Sequence, residues 1–154
     1  MKISIREMKY EDLDAIIEIE NSSFSVPWSR HAFEGELLNR MALYKCLEFN
    51  GKVVAYVGVW KVYNEGHITN VAVLPGYRGL GLSKILLSNL FETCSNNNID
   101  KLSLEVRKSN EVAINLYKQL GFVSAGVRPR YYSKPVEDAI IMWKELEVKT
   151  NDKE

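Results

Sequence analysis

Apolar residues follow two rhythms along this 154-residue chain. Residues 2–7, KISIRE, alternate as a half-buried strand does, and residues 11–20 set Leu13, Ile16 and Ile17 on one helix face. The stretch NSSFSVPWS reads as a loop of turn formers and aromatics. Ser29 is placed to cap a second helix whose apolar face carries Ala32, Phe33 and Leu37. Residues 42–49 and 52–62 read as strands around Asn50-Gly51, a two-residue hairpin signal. HITNVAVL, 67–74, is a strand stopped by Pro75-Gly76. After a glycine-rich loop, Leu82, Leu86, Leu87, Leu90, Phe91 and Cys94 repeat with a helical period to about residue 95. KLSLEVR, 101–107, is a strand. Asn110 opens a helix through Leu120, with Val112, Ala113, Leu116, Tyr117 and Leu120 on one stripe and Gly121 at its end. Strands at 122–128 and 138–146 flank a loop, PRYYSKPVE, and the tail 148–154 is expected to fray. The order βααββ, βαβα, ββ shows no repeat and no linker. It predicts a single α/β domain over 1–147, a mixed sheet with helices on its faces.

Composition narrows the function classes. The length suits one core. Lysine plus arginine equals aspartate plus glutamate, 20 against 20, which argues against a general nucleic-acid binder. No apolar run reaches the length of a membrane span, and MKISIREMKYEDLD lacks the apolar core of a signal peptide, so a cytoplasmic protein is expected. Cys46 and Cys94 lie far apart and read as reduced core thiols. His31 and His67 are isolated, no cluster has zinc-ligand spacing, and no metal is expected.

The loop in VLPGYRGLGLSKILL, 73–87, fails both standard nucleotide motifs. Gly76 and Gly81 have the P-loop separation, but Leu82 stands where the lysine belongs. Gly79 and Gly81 begin a dinucleotide fingerprint, but Lys84 occupies its third glycine. The physics beneath those motifs still applies. A strand enters, a helix leaves, and the first helical N–H groups and the helix dipole face the loop. With Arg78 and Lys84 nearby, a pyrophosphate is a plausible guest; the alternative is a glycine turn without a ligand.

Arg78-x-x-Gly81-x-Ser83 resembles the [Q/R]-x-x-G-x-[G/A] motif of the GNAT acetyltransferases. NVAV before it and LEVRKSNEVAINLYKQLGF at 104–122 are similar to that family as well. ENSSFSVPWS and VRPRYY…EDAIIM resemble its RimI-type branch, which acetylates the N-terminal alanine of a ribosomal protein. The likeness covers roughly residues 2–146. It implies a GNAT-like fold: a mostly antiparallel sheet with one parallel βαβ unit for the cofactor and helices on both faces. It also implies that acetyl-CoA is the guest. The pyrophosphate would lie on the backbone from Arg78 through Gly79, Leu80, Gly81 and Leu82 to Ser83. The pantetheine arm would lie along Val71, Ala72 and Val73, with Val71 and Val73 offering backbone hydrogen bonds. Asn110 matches a cofactor-contacting asparagine, a role compatible with a helix cap. Ser83 departs from the usual glycine or alanine, and Gly79 is not a motif position.

Acetyl transfer needs a neutral amine. At pH 7 roughly 10% of α-amines are neutral against roughly 0.04% of lysines, so a base helps either acceptor and an α-amine asks less of it. Glu105 is the candidate base: in KLSLEVR it sits mid-strand, on the face opposite Leu102, Leu104 and Val106. Partial burial is expected to raise its pKa; the alternative is an ion pair with Arg107 or another cation. The resemblance favours the catalytic role. It also favours Tyr117 as the acid that stabilises the departing thiolate, against a core tyrosine on the helix stripe. Phe24, Pro27 and Trp28 on one loop, and Tyr131 and Tyr132 on another with Glu137 and Asp138, are the candidate acceptor-binding residues. The implied reaction is direct transfer from acetyl-CoA to a protein N-terminus, that of a ribosomal protein. Lysine, a polyamine or another small amine as acceptor, and a non-catalytic acyl-CoA-binding module, remain the alternatives.

Overall fold

The structure is a computed structural model that describes residues 2–148. All but the first residue of the expected frayed tail lies outside the described residues. The elements are β1 (Ile3–Glu7), α1 (Leu13–Ser23), α2 (Arg30–Leu37), β2 (Ala42–Phe49), β3 (Lys52–Val62), β4 (Glu65–Val73), α3 (Leu82–Asn96), β5 (Lys101–Arg107), α4 (Glu111–Gln119), β6 (Val123–Ser133) and β7 (Val136–Glu145). Short 3-10 turns precede α1 and follow β4. The seven strands are ordered β1-β2-β3-β4-β5-β7-β6. β4 and β5 run parallel, while β1–β2, β2–β3, β5–β7 and β6–β7 are antiparallel. The expected element order and mixed sheet are therefore present. Among the described residues no helix is long and apolar enough to cross a membrane.

The chain forms two compact units: residues up to 61 with 68–90, and residues 62–67 with those from 91 onward. In the first unit, Leu13, Ile16 and Ile19 of α1, Phe33 of α2, Leu47 of β2, Tyr56 of β3 and Leu86, Leu87 and Leu90 of α3 are fully buried. The α1 stripe is turned slightly from expectation: Ile17 is half-buried and Ile19 lies inside. Ala32, expected on the apolar face of α2, is exposed, and Ser29 caps that helix by accepting from the Ala32 N–H at 3.1 Å. Asn50 (φ 51°) and Gly51 (φ 87°) make the β2–β3 turn, where positive φ matches the strand twist. Gly58 pairs with Tyr44 across β2–β3, and a Cβ there would collide with the Tyr44 ring.

In the second unit, Leu102, Leu104 and Val106 of β5 are buried and alternate with the partly exposed Ser103, Glu105 and Arg107. Asn110 caps α4 by accepting from the Ala113 N–H at 3.2 Å, and Gly121 (φ 99°) ends it. Tyr117 and Phe122 pack edge to face at 5.7 Å, with Phe91 5.9 Å from Phe122. Val112, expected on the α4 stripe, is 84% exposed. The segment expected to be the loop PRYYSKPVE is instead the body of the β6–β7 hairpin, with its turn between Ser133 and Val136. Arg128 pairs with Ala139 and Tyr132 with Glu137, so β6 carries extra residues between them, a bulge that holds Pro129 and the left-handed Arg130 (φ 55°). Proline is compatible with a strand at a sheet edge or a bulge, and β6 is an edge strand. Turn-forming residues there conceal a strand.

One polar cluster fastens the start of the first unit. Asp12, 8% exposed, accepts from Arg6 Nη1 (2.8 Å) and Nη2 (2.9 Å) and from the Lys9 N–H (2.8 Å). Above all, the Arg6 hydrogen bonds hold its carboxyl below the usual carboxylate range against the opposing effect of burial. A carboxyl lowered in the folded state contributes stability above its unfolded pKa and loses it as pH falls through the folded one. Asp12→Asn is expected to cost about 2 kcal/mol at pH 7. In urea unfolding the gap to the parent chain closes as pH drops below the ordinary aspartate value; a gap independent of pH would contradict this account.

Candidate active site

β5 positions Glu105 by simple alternation: its neighbours Leu104 and Val106 enter the core, so the carboxylate leaves the opposite face. Parallel pairing then supplies a partner. His67 of β4 lies in register with Ser103, two residues before Glu105 and on the same face. Its Nε2 lies 2.7 Å from Glu105 Oε1. Arg128 Nε of β6 lies 3.2 Å from the other oxygen, Oε2. The Glu105 side chain is 10% exposed, against 35% for His67 and 57% for Arg128.

These partners decide the protonation state. The His67 hydrogen bond is the largest influence and lowers the Glu105 pKa; burial opposes it, and the charges of His67 and Arg128 add to the lowering. The net direction is down. The expected rise from burial is thus overturned, because two donors outweigh desolvation. An ionised carboxylate only accepts, so His67 Nε2 carries the hydrogen and donates it. Arg107, the ion partner considered first from sequence, is committed elsewhere. It donates to Glu137 Oε1 (3.1 Å), the Pro135 carbonyl (3.0 Å) and the Lys134 carbonyl (3.2 Å), and its guanidinium lies 4.3 Å from the Tyr132 ring centroid. Glu137 also accepts from the Ser109 N–H at 2.6 Å. His67 and Arg128 were not singled out by sequence. Reading the βαβ unit as a parallel pair with its register would have brought His67 beside β5; the bulge hides Arg128.

Tyr131 and Tyr132 lie on β6 rather than in a loop, with rings edge to face at 5.0 Å. Burial, then Tyr131 and Glu105, push the Tyr132 phenol up to about 12. Tyr131 is also raised, by burial first and Glu105 second, and Arg128 lies 6.0 Å from its ring centroid. Asp138 of β7 accepts from the Arg130 N–H at 2.9 Å and pins the bulge. Tyr117 is buried on α4, and no described residue hydrogen-bonds its hydroxyl. Burial, with a smaller effect of Tyr132, pushes its pKa well above the ordinary tyrosine value.

The remaining candidates sit in the first unit. Gly79 (φ 81°) and Gly81 (φ 77°) give the loop its left-handed backbone, and a Cβ on either would meet nothing within 4 Å. Leu82 is buried and anchors the start of α3, while Leu80 is 55% exposed and Ser83 half-buried. The first bond into the helix runs from the Ile85 N–H to the Gly81 carbonyl at 3.2 Å, which leaves the amides of Leu82, Ser83 and Lys84 without a helical acceptor. The Arg78 side chain turns back on its own unit: Nε donates to the Val73 carbonyl (2.8 Å) and Nη2 to Ser23 Oγ (3.1 Å). Val71 is half-buried, and Ala72 and Val73 are buried. Phe24 follows α1 and Pro27 is exposed. Trp28 is held twice, by its N–H to Glu20 Oε2 (2.9 Å) and by its ring 5.5 Å from Phe33. Glu20, 1% exposed, also accepts from the Tyr56 hydroxyl.

Residues 13–122 match the Acetyltransferase (GNAT) family. The chain belongs to the GNAT acetyltransferases. It is 43% identical over 92% of its length, and 95% of the relative's, to a Bacillus subtilis (strain 168) protein described provisionally as a ribosomal protein bS18-alanine N-acetyltransferase. It is 36% identical, over 90% of its length and 95% of the relative's, to the Escherichia coli (strain K12) ribosomal protein bS18-alanine N-acetyltransferase. The crystal structure of the ribosomal-protein-S18-alanine N-acetyltransferase from Escherichia coli superposes with a TM-score of 0.89 and 34% identity, covering 99% of each chain. The GNAT fold expected from the motifs is thereby established, with its parallel β4–β5 pair.

The electrostatics can be read directly. In a carbon-detected NMR titration, the Glu105 side-chain carboxyl is expected to titrate below the ordinary glutamate range. In His67→Ala its midpoint moves up, because the largest lowering influence is gone and burial remains. A midpoint unmoved by that substitution would show that His67 does not set the state of Glu105.

Proposed function

We propose that this chain transfers the acetyl group of acetyl-CoA to the α-amino group of the N-terminal alanine of ribosomal protein bS18. The observation that carries this reading is the likeness, over nearly the whole of both chains, to the Escherichia coli enzyme of that activity. Acetyl-CoA, when bound, supplies an acetyl group activated as a thioester. The residues of the first unit suit that molecule. The free amides at Leu82, Ser83 and Lys84 and the open sides of Gly79 and Gly81 would hold its pyrophosphate. The Arg78 side chain braces the loop against Val73, so its own part in binding lies with its backbone. Val71, Ala72 and Val73 would flank the pantetheine arm, and Asn110 would add its contact from the cap of α4. Ser83, half-buried, keeps a small side chain where the motif has glycine or alanine.

For the acceptor's N-terminus, the residues of this reading are Phe24, Pro27 and Trp28 in the first unit and Tyr131 and Tyr132 in the second. Glu105 is the base of this reading: its carboxylate draws the α-ammonium and takes the amine's proton, directly or through a water, as the nitrogen attacks. Tyr117, whose raised pKa keeps the phenol protonated, offers a hydrogen bond to the negative charge developing on the departing sulfur. Full proton donation by it is disfavoured, because a thiol's pKa is about 8.5 and this phenol's is higher. We read the two units as one catalytic domain, since the family match runs through both, and the reaction as cytoplasmic, since its acceptor is a ribosomal protein.

The test is acetyl transfer followed by intact-mass spectrometry. A peptide with the bS18 N-terminal sequence beginning at alanine is compared with the same peptide blocked at its N-terminus and given a lysine. One acetyl on the free N-terminus and none on the blocked peptide is the expected result; acetylation of the lysine peptide alone would move the acceptor to a side-chain amine. Glu105→Gln is expected to lower kcat about 100-fold or more with the KM for acetyl-CoA nearly unchanged. Gly81→Glu, which adds bulk and charge at a left-handed position, is expected to weaken acetyl-CoA binding at least tenfold by calorimetry. Unchanged affinity there would remove the loop from the binding site.

A further inference from the structure

The loop between α1 and α2 is tied at both ends by one residue. The carbonyl of Glu20 accepts from the Phe24 N–H at 3.1 Å, which ends α1. Its carboxyl Oε2 accepts from the Trp28 N–H at 2.9 Å, where the loop turns back towards α2. Between those bonds Phe24, Ser25, Val26 and Pro27 are exposed, and all but the serine are apolar. Glu20 itself is 1% exposed, and its other oxygen accepts from the Tyr56 hydroxyl of β3. Asn70 of β4 hydrogen-bonds to both of them. The Phe33 ring of α2 covers the cluster, 5.5 Å from the Trp28 ring and 5.8 Å from the Tyr56 ring. All of these residues lie in the first unit. A carboxyl buried among neutral donors is costly to keep, so packing alone does not account for Glu20.

We propose that Glu20 is the positioning residue of the acceptor loop: its carbonyl and its carboxyl fix the backbone of residues 24–28 in the shape that takes the acceptor's N-terminus. This rests on the acetyltransferase reading above and on the place it gives Phe24, Pro27 and Trp28. Pro27 has no N–H to offer, so Trp28 carries the first donor beyond it by which the loop can be held. A loop held before the peptide arrives loses little freedom on binding, and the difference appears in the affinity for the peptide. Acetyl-CoA is assigned to other residues, 71–73 and 78–84, so its affinity does not draw on this contact. The donors around the carboxyl are neutral, so the cluster needs from Glu20 an accepting oxygen of the right reach rather than a charge. Glutamine supplies that oxygen, and its amide can donate to the Tyr56 hydroxyl, which accepts as well as donates. Leucine supplies neither, and aspartate is a methylene short.

The experiment measures kcat and both KM values on the alanine-starting peptide for the parent chain, Glu20→Leu, Glu20→Gln, Glu20→Asp and Phe24→Ala. Hydrogen exchange at the Trp28 amide is followed by NMR, and each chain is checked for a native melting transition. In Glu20→Leu the peptide KM is expected to rise about tenfold or more while the KM for acetyl-CoA stays within about twofold. The Trp28 amide is expected to exchange about tenfold faster or more. Glu20→Gln is expected to bring the peptide KM and the exchange rate back to within about threefold of the parent. A folded Glu20→Leu with the peptide KM unmoved, both KM values raised alike, or a Glu20→Gln no better than Glu20→Leu would each overturn the assignment. Should Glu20→Leu fail to fold, Glu20→Asp carries the test: a peptide KM raised about fivefold or more with acetyl-CoA unchanged supports the assignment, and parental kinetics overturn it. An inactive parent, or a Phe24→Ala with the parental peptide KM, would remove the reading on which the proposal stands and the proposal with it. Contrary results in the Glu20 variants alone would overturn only the proposal.

Discussion

A carboxylate in the middle of a strand, nine-tenths covered, must be matched on both oxygens or give up its charge. At Glu105 the match depends on one feature of topology, the parallel pairing of β4 with β5. That pairing sets His67 beside Ser103 and therefore within reach of Oε1. The second oxygen depends on β6, whose Arg128 stands at the edge of the irregular segment. His67, Glu105 and Arg128 all lie in the second unit, so the charge state of the carboxylate is set within that unit. Around it, Arg107 performs a different task. By gathering Glu137, two backbone carbonyls and the face of Tyr132, it fixes the hairpin end on which the two tyrosines stand.

The first unit carries a separate feature, a loop entering α3 at which the amides of Leu82, Ser83 and Lys84 have no helical acceptor. Two glycines with positive φ turn the loop in a way that a side chain would resist. Leu82, buried at the start of α3, anchors the far side, and Arg78 ties the near side to the Val73 carbonyl and Ser23. The loop is thus rigid at both ends and open between.

Much of this was legible from sequence. Alternation in KLSLEVR gives both the strand and the exposed face of Glu105; the helical period after the glycine loop gives α3; Asn50-Gly51 and Gly121 mark turns that the backbone confirms. The misreadings share a cause. PRYYSKPVE carries proline, serine and charge, all signs of a loop, yet it pairs as strand because its position on the sheet edge and its bulge relieve the need for regular hydrogen bonds. Val112 continues a helical period but lies on a face that nothing covers. The sign of the Glu105 shift was not legible at all. Burial can be guessed from alternation, but the donors come from β4 and β6, remote in sequence, and they decide the result.

Glu20 and Glu105 show how partners rather than burial alone set the charge of a covered carboxyl. Glu20 is the more deeply covered, and its pKa is raised: desolvation is the largest influence, opposed only by the Trp28 N–H, the Tyr56 hydroxyl and Asn70. Those donors are neutral. They give the carboxyl hydrogen bonds without supplying a counter-charge, and Tyr56 is itself driven up by burial and by Glu20. Glu105, with imidazole and guanidinium as partners, is lowered. The linkage signs therefore oppose one another. Stability due to Glu105 is lost as pH falls through its lowered value, whereas Glu20 removes stability as pH rises from the ordinary carboxylate range through its raised one. A carboxyl whose ionisation burial disfavours still accepts hydrogen bonds from neutral donors, and Glu20 accepts from the backbone N–H of Trp28. A group held firmly ionised serves to stabilise a cation beside it. The same side-chain type thus accepts from the backbone of a loop in one unit and is ionised between two basic groups in the other.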